Sequence, residues 1–190
     1  ISHIEREIKT SILNHLSDRL PNSIKMVKIW DRGMRMDVLA IASDKKLQKI
    51  TLTLIGNVKE DQVDASSLIR SKEFKTVRNY LEPLYKSHSF TGFSILNEKG
   101  LEVGSHLDES VGTQWLKNTT EGKRLLKLVS LGNTVVTLPF KSEIELPDRE
   151  GVMGQNRPTM AVGSPIYHPM GEFAGALVFY LRPEAVFTDI

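Results

Sequence analysis

Trp115, Thr137, Phe140, Arg157 and Met160 are the side chains of this sequence best suited to hold a small solute. An aromatic ring, a guanidinium and a hydroxyl gathered around a sheet suit a small anionic or zwitterionic ligand. Trp115 falls in an irregular stretch, Phe140 ends a strand, Arg157 closes a long polar loop and Met160 begins the next strand. Thr137 alternates with Val136 and Leu138, so strand periodicity sets it on the opposite face from them. The opposing reading makes Trp115 and Phe140 core and leaves Arg157 solvated. Trp30 and Met34 lie on a helical stripe and read as core.

Signals for catalysis are weak. GxGxxG, Walker A, HExxH and GxSxG motifs do not occur. The histidines at 3, 15, 88, 106 and 168 fall at no metal-ligand spacing. His106 with Asp108 and Glu109 has the donor types for a cation, but reads better as surface loop. Asp148, Arg149 and Glu150 beside Gly151 lack EF-hand spacing and read as an exposed turn. The expectation is a protein that is not an enzyme and has no metal or cofactor.

Composition sets wider bounds. The 190 residues suffice for one good core, with 40% hydrophobic and 25% charged residues, ordinary for a globular protein. A formal charge of +2 gives no field toward nucleic acid. The absence of cysteine excludes disulfides, thiolate metal sites and thiol catalysis. No run approaches the ~20 apolar residues of a membrane span. The first residue is Ile1 and the last is Ile190, which reads as a segment of something longer.

These candidates must be positioned by helices and then a sheet. Residues 1–88 read as a helical region. Ile4, Ile8, Ile12, Leu16 and Leu20 recur at four-residue steps; Pro21-Asn22-Ser23 interrupts them. Ile24, Val27, Trp30, Met34, Val38 and Ile41 then continue the amphipathic pattern, which Gly33 weakens locally. Ser43 or Asp44 caps a further helix that stops at Gly56-Asn57, and Ser66 or Ser67 caps one over 66–87 that Pro83 tightens or ends. Residues 89–182 read as sheet. Phe90 to Leu96 and Leu101 to Ser105 flank a turn at Asn97-Glu98-Lys99-Gly100. Thr120 to Leu131 is a helix, Thr134 to Phe140 a strand, 141–157 a loop of lid type, and 158–181 a long hairpin around His168 to Gly171. Pro183 opens a final helix over 183–190. Five strands joined mostly as hairpins give an antiparallel sheet, so the class is α+β in one domain.

The layout resembles the Cache family of extracytoplasmic, PAS-like sensor domains. Phe90 to Gly100 is similar to the family's first hairpin, Val111-Gly112 to its following short motif, Pro158 to Leu181 to its last hairpin, and Ser71 to Leu81 to its second helix. The resemblance implies long N-terminal helices packed on a five-stranded antiparallel sheet with a ligand pocket on one face. It further implies a small-molecule sensor domain of a transmembrane receptor (a histidine kinase, chemoreceptor or cyclase), periplasmic and part of an inner-membrane protein, signalling by helix displacement. Arg182 to Ile190 looks like a linker into a second such module. Amino-acid-binding members carry an Arg-Trp-Tyr run and a later aspartate. Here Trp115 is followed by Leu116-Lys117, and the last hairpin strands hold no aspartate, so no ligand identity carries over. The rival is a ligand-free structural module that forms a homodimer through its N-terminal helix.

Overall fold

The computed structural model describes residues 3–58, 64–87 and 90–184, with side chains from position 21 except at 22 and 87. The final helix expected from Pro183 falls largely outside the described residues. Helix α1 (His3–Ala42) runs unbroken through Pro21 and Gly33. Proline removes one hydrogen bond from a helix interior. The helix nonetheless continues, and the side chain of Pro21 is exposed. Asp44 then accepts from Leu47 N–H at 2.8 Å and caps α2 (Lys45–Gly56).

The single helix expected over 66–87 is two. Asp64, rather than Ser66 or Ser67, caps α3 (Ala65–Arg70) by accepting from Ser67 N–H. Ser71 is extended, and its Oγ accepts from Phe74 N–H, which restarts the chain as α4 (Lys72–Ser87). Pro83 lies within α4 and does not end it.

The sheet contains β1 (Gly92–Asn97), β2 (Glu102–Ser105), β3 (Val135–Val136), β4 (Phe140–Lys141), β7 (Pro158–Tyr167) and β8 (Phe173–Leu181). Its order is β2-β1-β8-β7-β3, every described pairing is antiparallel, and β4 also pairs with β7. Gly100, with φ +78°, turns the first hairpin, and Asn97 Oδ1 accepts from Lys99 and Leu101 N–H to lock it.

The strand expected over 134–140 is interrupted for a local reason. Thr137 Oγ1 accepts from Ala161 N–H while Thr137 N–H donates to Ala161 O. A side chain thus replaces one rung of the ladder between β3 and β4.

Helices α1, α2 and α4 cover the back of the sheet. Val38, Leu47, Leu54, Phe74, Val77 and Leu81 meet Phe93, Ile95, Leu177 and Phe179 there. Each fully buried large side chain is worth roughly 1.5–3 kcal/mol. The front is covered by α5 (Trp115–Asn118) and α6 (Thr120–Ser130), with Leu125 and Val129 against Ala161, Ala176 and Val178.

Residues 141–157 are more ordered than a lid-type loop. They form an arm ending in a short hairpin, β5 (Leu146–Pro147) and β6 (Met153–Gly154). Ile144 and Leu146 anchor it in the front cluster, which a purely polar reading of the segment overlooks.

Candidate functional site

The polar centre of the front is Glu102. A one-residue bulge puts it there. Ile95 pairs with Gly104 and Leu96 with Glu102, leaving Val103 as the extra residue. Val103 and Gly104 face the helices, where a Cβ on Gly104 would meet Ile95 and Leu54 at 3.1 Å. Glu102 and Ser105, three apart, therefore share the other face.

Glu102 is fully buried. Its Oε1 accepts from Ser94 Oγ at 2.7 Å and from Ser110 Oγ at 2.8 Å; its Oε2 accepts from Trp115 Nε1–H at 2.8 Å. Tyr180 O–H donates onward to Ser94 Oγ at 2.8 Å. Every donor is neutral. Burial pushes the carboxyl up to about 7, and the hydrogen bonds it accepts only partly offset this. Burial, with the nearby Glu102 charge, also raises the Tyr180 phenol well above its ordinary value.

His106 lies beside this network, against expectation of an exposed loop residue. Its ring covers Gly92, where a Cβ would come within 2.2 Å of the imidazole. Nδ1 lies 3.2 Å from Phe93 N and 3.1 Å from Phe93 O, so it bonds the Phe93 backbone in either tautomer. Burial lowers its pKa.

The five sequence-derived candidates divide. Trp115 is 5% exposed; its ring lies 6.4 Å from that of Phe140 and 5.4 Å from that of Tyr180. Phe140 is half-buried and pairs with Thr159, while Ser142 N–H donates to Arg157 O at the base of the arm. Of these, Trp115 and Phe140 meet directly, whereas Arg157 joins the base of the arm through its backbone carbonyl and Thr137 is held on Ala161 of β7. Met160 lies apart from them. Strand alternation sends it to the helix-facing cluster with Val162 and Ile166, and Ala161 to the front. Arg157 is not free: its Nη1 pairs with Asp148 Oδ2 at 3.0 Å, and both side chains are 30% exposed. Asp148 also accepts from Glu150 and Val152 N–H, and these bonds, the one to Val152 foremost, hold its carboxyl low.

Ser94, Glu102, Ser110 and Tyr180 escaped the sequence reading. The available signal was a glutamate between Leu101 and Val103 in a short hairpin strand. Among the described residues no group of three or more His, Asp or Glu side chains could hold a metal ion.

No protein-family model matches the chain, and no curated protein matches it. Solved structures do. The sensor domain of the histidine kinase DctB from V. cholerae superposes with a TM-score of 0.59 at 14% identity, covering 93% of this chain and 58% of that one. An extracellular domain assigned to a histidine kinase, vpHK1S-Z8, gives 0.56 at 10% identity, covering 99% and 63%. The sensory domain of the Campylobacter jejuni chemoreceptor Tlp3 with isoleucine bound gives 0.44 at 16% identity, covering 95% and 64%, too distant to bear on the fold. This chain thus spans less than two thirds of each. It shares the α+β, PAS-like fold of these two histidine kinase domains, as the Cache resemblance implied.

Proposed function

We propose that this chain is a non-catalytic, extracytoplasmic sensor module of a transmembrane signalling receptor. Its ligand is a small organic anion or zwitterion, received at the front where Trp115, Thr137, Phe140 and Arg157 meet the arm. The parent protein is membrane-anchored, and the output is of the histidine kinase, chemoreceptor or cyclase type. Among the described residues no helix is long and apolar enough to cross a membrane.

The observation that carries this reading is a bolt between the β3 edge of the sheet and α1. Arg35 Nη1 donates to Thr134 O at 2.7 Å, immediately before β3, and Asp31 holds the same guanidinium at 2.8 Å and 3.0 Å. Three residues on, Thr137 bonds Ala161 of strand β7. A solute that shifts Thr137 or Phe140 pulls on Thr134, and so on a helix about 60 Å long at 1.5 Å per residue. The solute signals only by its difference in affinity for two positions of that helix.

Two copies fit together along α1. Met26, Ile29, Gly33, Met36 and Ala40 recur at heptad spacing, and Met26, Ile29 and Met36 are half or more exposed. This row lies apart from Trp30, Met34, Val38 and Ile41, which pack on the back cluster. Parallel pairing sets Arg32 of one copy against Asp37 of the other, five residues along. Among the described residues neither forms an ion pair within the chain.

A second reading, a dimerisation module that takes no ligand, is favoured by how fully Trp115, Glu102 and Tyr180 fill the front. A thermal-shift screen of carboxylates, amines, amino acids and nucleobases separates the two. A binder that depends on Arg157 supports the sensor; self-association with no binder across all four classes supports the module.

A further inference from the structure

We infer that Glu102 makes this domain proton-responsive: proton uptake at its carboxylate reverses the hydrogen bonds through Ser110 and is read out at the 108–110 turn that Arg78 holds. The inference goes beyond the sensor reading and does not rest on it.

The nest is built to satisfy both protonation states. With Glu102 ionised, Ser94 and Ser110 donate to Oε1 and Trp115 to Oε2. The indole can only donate, so Oε2 remains an acceptor and the added proton belongs on Oε1. Hydroxyls can reverse. Ser110 Oγ already lies 2.7 Å from Ser105 Oγ and 3.0 Å from Leu107 O. When Glu102 O–H donates to Ser110, the Ser110 hydrogen turns to Leu107 O, an acceptor already in place. Ser94 keeps its bond from Tyr180. Neither state leaves a member of this chain unsatisfied, so the proton can come and go without unfolding the site.

The readout is the 3₁₀ turn Asp108–Ser110. Arg78 of α4 pairs with Asp108 at 2.6 Å and donates through Nε to Ser105 O at 2.7 Å. Ser110 and Ser105 thus join the carboxylate to α4 on the back of the molecule.

The titratable groups around the nest leave Glu102 the one suited to near-neutral pH. Tyr180 of β8 is held protonated by burial. His106, after β2, is pushed toward its neutral form by burial, its ring 6.4 Å from that of Tyr180. Asp108 and Glu109 in the turn are exposed, and Lys117 of α5 lines a surface groove beside Leu126. Strand β1 contributes no titratable side chain. Among the described residues no cation forms an ion pair with Glu102.

Infrared difference spectroscopy on the purified chain between about pH 5 and about pH 8.5 tests this directly, in a range where ordinary carboxylates are ionised. The wild type is expected to gain a buried, protonated carboxyl band as pH falls, with a midpoint near 7, and Glu102→Gln to lack it. The amide resonances of Leu107 and Val111 should titrate with the same midpoint in the wild type and His106→Asn, and stay fixed in Glu102→Gln. Absence of a titrating carboxyl band in the wild type overturns the inference, even if Glu102→Gln does not fold. So does an amide titration that survives Glu102→Gln and vanishes in His106→Asn.

Discussion

The Trp115 indole N–H donates to Glu102 Oε2 across 2.8 Å, and it is the one bond of the nest that cannot reverse direction. It ties α5 to β2 and fixes the ring that faces Phe140 and Tyr180. Replacing Trp115 by Phe keeps most of the ring and removes the donor. A hydrogen bond to a charged acceptor is worth ~1.5–3 kcal/mol. Urea unfolding of Trp115→Phe should show a loss of that order near pH 8, shrinking near pH 5 where the acceptor is neutral.

Stability should depend on pH through Glu102 with an unusual sign. Its folded pKa stands above its unfolded value, 4.5 rising to about 7. The folded state holds its proton more tightly between those limits, so stability is fully present below 4.5 and is lost as pH rises through 7. At ~1.4 kcal/mol per unit the loss is on the order of 3 kcal/mol. His106 acts oppositely: its folded pKa lies below its unfolded value, so its contribution is lost as pH falls. The difference between wild type and Glu102→Gln isolates the Glu102 contribution. That difference should decline from about pH 4.5 to about pH 7 and then stay level.

Self-association is predicted to run along α1. Changing Ile29→Glu and Met36→Glu puts like charges into the heptad row without touching the row packed on the back cluster. Sedimentation equilibrium should show the double variant monomeric, with a far-ultraviolet spectrum like that of the wild type. Arg32→Asp should weaken the dimer, and Arg32→Asp with Asp37→Arg should restore it.

The arm is pinned at its tip by Asp148, which binds two backbone N–H groups and Arg157, while its carbonyl accepts from Arg182. Asp148→Ala removes the side-chain bonds together, whereas Arg157→Ala removes one partner. Trypsin cleavage after Arg149 should therefore accelerate more in Asp148→Ala than in Arg157→Ala.

Much of the scaffold was legible because periodicity and punctuation agree. Asp44, the Gly100 turn and the two long hairpins stand where the residues place them. Fold class follows, since five strands in hairpin order have few ways to pair. The centre of the front was not legible, for three local reasons. The bulge at Val103 breaks the two-residue alternation, so Glu102 and Ser105 meet on one face although they are three apart. The register of β7 decides that Met160 faces the helices and Ala161 the front, and periodicity alone does not say which side is which. Ser71 and Thr137 use side-chain oxygens to replace backbone bonds, which splits one expected helix and one expected strand.

The sensor claim is tested most directly by calorimetric titration of the best-scoring compound of the screen into wild type, Arg157→Ala and Phe140→Ala. Loss of either contact should weaken binding by roughly tenfold or more, ~1.4 kcal/mol, with the melting transition retained. An affinity that survives both substitutions contradicts the account.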